Sequence, residues 1–87
     1  DCSMPSGESF VRQIVHGARF FREEFGVVPR YCWQPDVFGY HGQLPQILRK
    51  SGHDCFMTQK LSWNAVNRFG HHSFHWEGID GSRILTH

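Results

Sequence analysis

From Ser6 to Phe25 the apolar residues Phe10, Val11, Ile14, Val15, Ala18, Phe21 and Phe25 return at helical spacing, while Arg12, Gln13, Arg22 and Glu23 fall elsewhere on the wheel. The pattern predicts one helix over residues 6–25 with this stripe buried. Ser3 or Ser6 can cap it, Glu8 suits its first turn, and Gly26 can end it. The period then changes. Val27-Val28 and Tyr31-Cys32-Trp33 are β-prone, and Pro35 cannot donate to a ladder, so a strand should stop near Gln34. A shorter helix follows from about Gly42 to Ser51. Pro45 fits only its first turn, Leu44, Ile47 and Leu48 supply a buried side, and Arg49-Lys50 ahead of Gly52 mark its end.

Cys55 to Gln59 reads as a second strand, and after Leu61-Ser62-Trp63-Asn64 comes a polar connection with a helical turn, reaching Phe69-Gly70. Ser73 to Thr86 alternates as strands do around Ile79-Asp80-Gly81-Ser82, and Asp-Gly between β-prone runs signals a hairpin. Phe74 and Trp76 then share one face, with His75 and Glu77 on the other. The order helix, strand, helix, strand predicts an α/β fold with parallel strands joined by crossover helices and a terminal β-hairpin.

Composition narrows the class. The 87 residues are 39% hydrophobic, enough for a globular core, and no apolar run approaches the roughly 20 residues that a bilayer requires. Nine basic and eight acidic residues are intermixed along the chain, which gives no basic face for nucleic acid. Cys2, Cys32 and Cys55 are odd in number, widely spaced and without a CxxC pair. That argues against a disulfide framework or a cysteine zinc site and for a reducing, cytoplasmic compartment. No glycine-rich phosphate loop occurs.

The strand pattern singles out Asp36. It follows Pro35 just past the first strand, at the edge where parallel α/β sheets bind ligands, with Phe38 and Tyr40 able to wall a pocket and Gly39 able to turn the chain. Spacing alone favours a plain turn aspartate. The second strand delivers Lys60 to the same edge, within reach of Asp36, although a solvated loop lysine reads equally well there. His41 lies five residues beyond Asp36 and reads as polar surface. Of the seven histidines, His71, His72 and His75 crowd one segment. On a strand, His71 and His75 would stand about 13 Å apart, too far for one metal ion.

The words around Asp36 carry a resemblance. Trp33-Gln34-Pro35-Asp36-Val37-Phe38-Gly39-Tyr40 followed by Leu44-Pro45-Gln46-Ile47 resembles the active-site segment of bacterial-type alpha-mannosidases in glycoside hydrolase family 38. Pro5 to Ser9, Phe20 to Val27, Phe56 to Asn64 and Trp76 to Arg83 resemble the same family in the same order. The resemblance implies a retaining, zinc-dependent hydrolase of alpha-mannosides on an irregular β/α barrel. It makes Asp36 both nucleophile and zinc ligand, and gives Phe38 and Lys60 to substrate binding. Gln34 and His41-Gly42 depart from the family pattern, and His41 adds bulk beside the pocket.

The family's other zinc ligands and its general acid/base have no counterpart among these residues. The chain begins without Met, at Asp1, and stops at His87 just after a β-prone run. The expectation is therefore an internal segment, residues 1–87, of a catalytic β/α-barrel domain: inactive alone, completed by the remainder of its parent chain, and prone to self-association through exposed strand edges. Two rival expectations are a histidine-rich zinc module built on His71, His72 and His75, and a noncatalytic carbohydrate-binding domain stacking sugars on Trp33, Trp63 and Trp76.

Overall fold

The computed structural model describes residues 1–87. Helix α1 (Gly7–Phe25) is followed by strand β1 (Tyr31–Trp33), helix α2 (Leu44–Lys50), strand β2 (Cys55–Met57), a 3-10 turn (Lys60–Ser62), and strands β3 (Phe74–Glu77) and β4 (Arg83–Thr86). The sheet order is β1-β2-β4-β3. Strand β2 pairs in parallel with β1, Cys32 opposite Phe56, and with β4, Phe56 opposite Thr86. Strands β3 and β4 form the antiparallel hairpin, Trp76 opposite Ile84. The sheet is open, with β1 and β3 at its edges.

Local chemistry sets the boundaries. Ser6 caps α1 by accepting from the Ser9 N–H at 3.2 Å, and Gly26, at φ 66°, closes it by donating to the Arg22 carbonyl at 3.0 Å. Glu8 with Arg12 and Arg19 with Glu23 form i,i+4 pairs on its solvent side. The β3–β4 connection is longer than a two-residue turn. Gly78 N–H donates to the Ser82 carbonyl at 2.8 Å, Gly81 takes φ 83°, and Asp80 accepts from both the backbone N–H and the hydroxyl of Ser82. Those bonds hold the Asp80 carboxyl below its ordinary pKa.

The core is small. Leu44 and Leu48 of α2, Phe56 of β2, Ile84 of β4 and Cys2 are its buried apolar members, with Phe10, Ile14, Cys32, Val37, Tyr40 and Trp76 packed around them. The α1 stripe departs from expectation. Phe10, Val11, Ile14 and Ala18 are half-buried, but Val15, Phe21 and Phe25 are exposed, as is every residue of the helix from Arg19 onward, because the last turns of a helix about 28 Å long run past the core. Phe20, Phe21 and Phe25 cluster on one another instead, with centroids 5.6 to 6.1 Å apart. A second departure concerns the histidines: β3 starts at Phe74, so His71 and His72 precede the strand.

A candidate nucleophile at the carboxyl edge of the sheet

Strands β1 and β2 run side by side, and their pairing continues past the strand ends. Gln34 N–H donates to the Met57 carbonyl at 2.9 Å and Gln59 N–H to the Pro35 carbonyl at 3.2 Å. Asp36 and Lys60 are thereby delivered to one edge of the sheet. Lys60 Nζ lies 2.5 Å from Asp36 Oδ1. The contact is an ion pair whose angles fall outside those of a hydrogen bond, and Nζ has no other hydrogen-bond partner. The two partners differ in exposure: the Lys60 side chain is 6% exposed and that of Asp36 is 71% exposed. What covers the ammonium is aromatic. Nζ stands 3.2 Å from the Trp63 ring centroid and 4.4 Å from that of Phe38. Phe38, Gly39, Tyr40, Lys60, Leu61 and Trp63 line an open groove of about 470 Å³.

A chain of hydrogen bonds braces this edge. Lys60 N–H donates to Thr58 Oγ1 at 3.3 Å, the Thr58 hydroxyl meets the Tyr40 hydroxyl, and Tyr40 donates to the Gln34 carbonyl at 3.3 Å. Each hydroxyl has one proton, so Thr58 donates to Tyr40 and Tyr40 to Gln34. Tyr40 also packs edge-on against Phe56 at 5.1 Å. Burial pushes its phenol pKa up, the Thr58 bond opposes that shift, and Cys2, Cys32 and Asp36 add to it. The third parallel strand ends here too. His87 N–H donates to the Phe56 carbonyl, Thr58 N–H to the His87 carbonyl, and His87 Nδ1 lies 2.8 Å from Ser73 Oγ.

These positions match a defined sequence family along their whole length. The model of the glycosyl hydrolases family 38 N-terminal domain matches residues 1–87. The chain belongs to that family. It is 56% identical over all 87 residues to "Alpha-mannosidase 2C1" of Mus musculus and of Homo sapiens, and 55% identical to "Alpha-mannosidase" of Saccharomyces cerevisiae. The family 38 chain spans about 8% of the length of each of these curated relatives. All three are eukaryotic proteins, so the expected bacterial-type subgroup finds no support in them.

The geometry also bears on the rival readings of the family 38 chain. No three His, Cys, Asp or Glu side chains converge anywhere in it, so His71, His72 and His75 form no metal site. Asp36, exposed and paired through one oxygen only, suits a zinc ion as one donor, but these residues supply no complete ligand set. Trp76 is half-buried against Phe56 at 5.7 Å and serves the core, which leaves Trp33 and Trp63 as exposed indoles. His41 is not polar surface: it is half-buried edge-on against Phe10 at 5.9 Å. Thr58 and the contact of Trp63 with Lys60 went unread in the sequence. The three-residue spacing of Lys60 and Trp63 is the signal that could have found the latter.

Proposed function

We propose that this chain is a segment of the catalytic domain of a retaining alpha-mannosidase, with Asp36 as its nucleophile. The Asp36–Lys60 pair carries the reading: an exposed carboxylate is held through one oxygen at the carboxyl edge of parallel strands, beside an aromatic-lined groove. The names of the relatives support the substrate class, an alpha-mannoside oligosaccharide or glycan.

In the proposed reaction a carboxylate oxygen of Asp36 bonds to the anomeric carbon as the glycosidic C–O bond breaks. The electron pair leaves with the departing oxygen, which takes a proton from an acid supplied by the remainder of the parent chain. Water then attacks the same carbon, giving its proton to the now deprotonated acid of the parent chain, breaks the mannosyl ester and restores the carboxylate, so two inversions give net retention. Lys60 engages Oδ1 and leaves Oδ2 for other partners, while the exposed ring of Phe38 lines the sugar subsite. Zinc, when bound, would polarise sugar hydroxyls, with Asp36 as its donor from this chain.

The open sheet is proposed to be an arc of a β/α barrel, its β1 and β3 edges and the exposed aromatic residues of α1 covered by the rest of the parent or, failing that, by a second copy. Three free thiols fit a reducing, cytoplasmic setting. The deciding experiment is hydrolysis of p-nitrophenyl alpha-mannoside by the full-length parent, its Asp36→Asn variant and the 87-residue chain. The expected result is turnover by the parent alone, with the variant down on the order of a thousandfold or more. A variant as fast as the parent would remove Asp36 from the chemistry.

A further inference from the structure

The reading of Asp36 as nucleophile leaves open what fixes Lys60 against it. The lysine stem is flexible, and its ammonium ordinarily seeks water or aligned acceptors. Here the side chain is 6% exposed, and its ammonium has no hydrogen-bond partner and lies against one carboxylate oxygen and two rings. The nearer ring belongs to Trp63. Lys60 opens the 3-10 turn and Trp63 follows its last residue, with Trp63 N–H donating to the Lys60 carbonyl at 3.2 Å. Three residues per turn eclipse positions i and i+3, so the turn lays the indole directly over the ammonium of its own first residue. Ser62 Oγ to the Gln59 carbonyl at 2.7 Å and Asn64 Nδ2 to the Leu61 carbonyl at 2.8 Å lock the turn.

We propose that Trp63 is a positioning residue for the reaction: its indole face holds the Lys60 ammonium on Asp36 Oδ1 and so fixes the orientation of the nucleophilic carboxylate. The inference rests on the mannosidase reading above. Phe38, farther from Nζ and tilted 37° to the indole, closes the other side. Loss of the indole opens the ammonium to water and releases the carboxylate to rotate.

The test uses the full-length enzyme and 2,4-dinitrophenyl alpha-mannoside, whose good leaving group keeps slow variants measurable. Trp63→Ala should lower kcat/KM roughly 3- to 30-fold, the range a cation–π contact commands. Trp63→Phe, which keeps a ring at i+3, should recover most of that loss. In a Lys60→Met background, Trp63→Ala should change little, because the group it positions is gone. An undiminished Trp63→Ala enzyme, a Trp63→Phe enzyme as slow as Trp63→Ala, or a full Trp63→Ala loss in the Lys60→Met background would each overturn the inference. Asp36→Asn separates the two levels. If that variant is inactive while the Trp63 and Lys60 effects simply add, only the positioning role fails; if it is active, the nucleophile reading itself fails.

Discussion

The hydroxyls of Tyr40 and Thr58 meet at the head of the two parallel strands, tying the loop that carries Asp36 to the turn that carries Lys60. The tie is continuous from Lys60 N–H through both hydroxyls to the Gln34 carbonyl, so removing either one leaves its neighbours short of a partner. Tyr40→Phe and Thr58→Val should each destabilise the chain by about 1–2 kcal/mol in urea melts, and the double variant by less than their sum. In the parent enzyme each should also slow turnover, on the order of tenfold, as the carboxylate loses its fixed geometry. Strictly additive losses would show that the two hydroxyls act independently.

The juxtaposition of Asp36 and Lys60 was legible in the sequence because it needs only local inference. Two β-prone runs separated by a helix favour a parallel pairing, and each run ends one short step before a charged residue. The place of β4 was not legible. It lies between β2 and β3, and pairing across that distance leaves no mark on local periodicity. The α1 stripe shows the same limit. Phe21 and Phe25 continue the helical period of Phe10 and Ile14, yet the period cannot say how far along the helix a partner extends. His41 escaped for a related reason, since its contact with Phe10 joins residues 31 positions apart.

Acid should loosen the packing of α1 against the segments leading into β1 and β2 through His53. The residue is 7% exposed, its Nδ1 has no partner, and it lines a cavity of about 180 Å³ with Gln13, Ile14, Gly17, Ala18, Phe21 and Pro29. Burial lowers its pKa below 6.5, against smaller opposing contributions from the Leu48 carbonyl and Asp54. The neutral ring is thus favoured in the folded chain. Its contribution to stability is complete above the unfolded value of 6.5, erodes as pH falls below it, and is fully lost below the depressed folded value. Thermal midpoints should therefore fall between pH 7.5 and pH 5, and fall less in His53→Gln. An equal fall in the variant would assign the acid sensitivity to other groups.

Thiol chemistry offers an independent check on the region behind Asp36. Burial, and secondarily the neighbouring Cys2, push the Cys32 thiol from its ordinary 9.0 up to about 11. Two pH units mean about a hundredfold less thiolate at pH 8, partly offset by the greater nucleophilicity of a more basic thiolate. Disulfide exchange with an aromatic disulfide should accordingly run on the order of tenfold slower at Cys32 in the folded chain than in the denatured one. Cys2, 3% exposed and donating to Gln34 Oε1 at 2.9 Å, should also be slowed. Equal folded and denatured rates would contradict the packing of the N-terminal segment over β1.

Two glycines at the junction of the hairpin and the α2 loop should respond differently to the same added methyl. At Gly78 a Cβ would lie 3.0 Å from the Gly42 carbonyl oxygen and 3.2 Å from Pro45 Cβ, both fixed by the start of α2. At Gly42 it would meet only Ile79, at 2.9 Å from Cγ1, and that residue is 79% exposed, which leaves its side chain free to turn aside. The two segments are joined by the Ile79 N–H donating to the Gly42 carbonyl at 3.0 Å, a bond that the Gly78 methyl would push open. Gly78→Ala should therefore cost about 1–3 kcal/mol in urea melts, with Gly42→Ala clearly milder. If the order reversed, Ile79 would be anchored in the folded chain, and the hairpin would be held to α2 by that side chain rather than by the backbone bond.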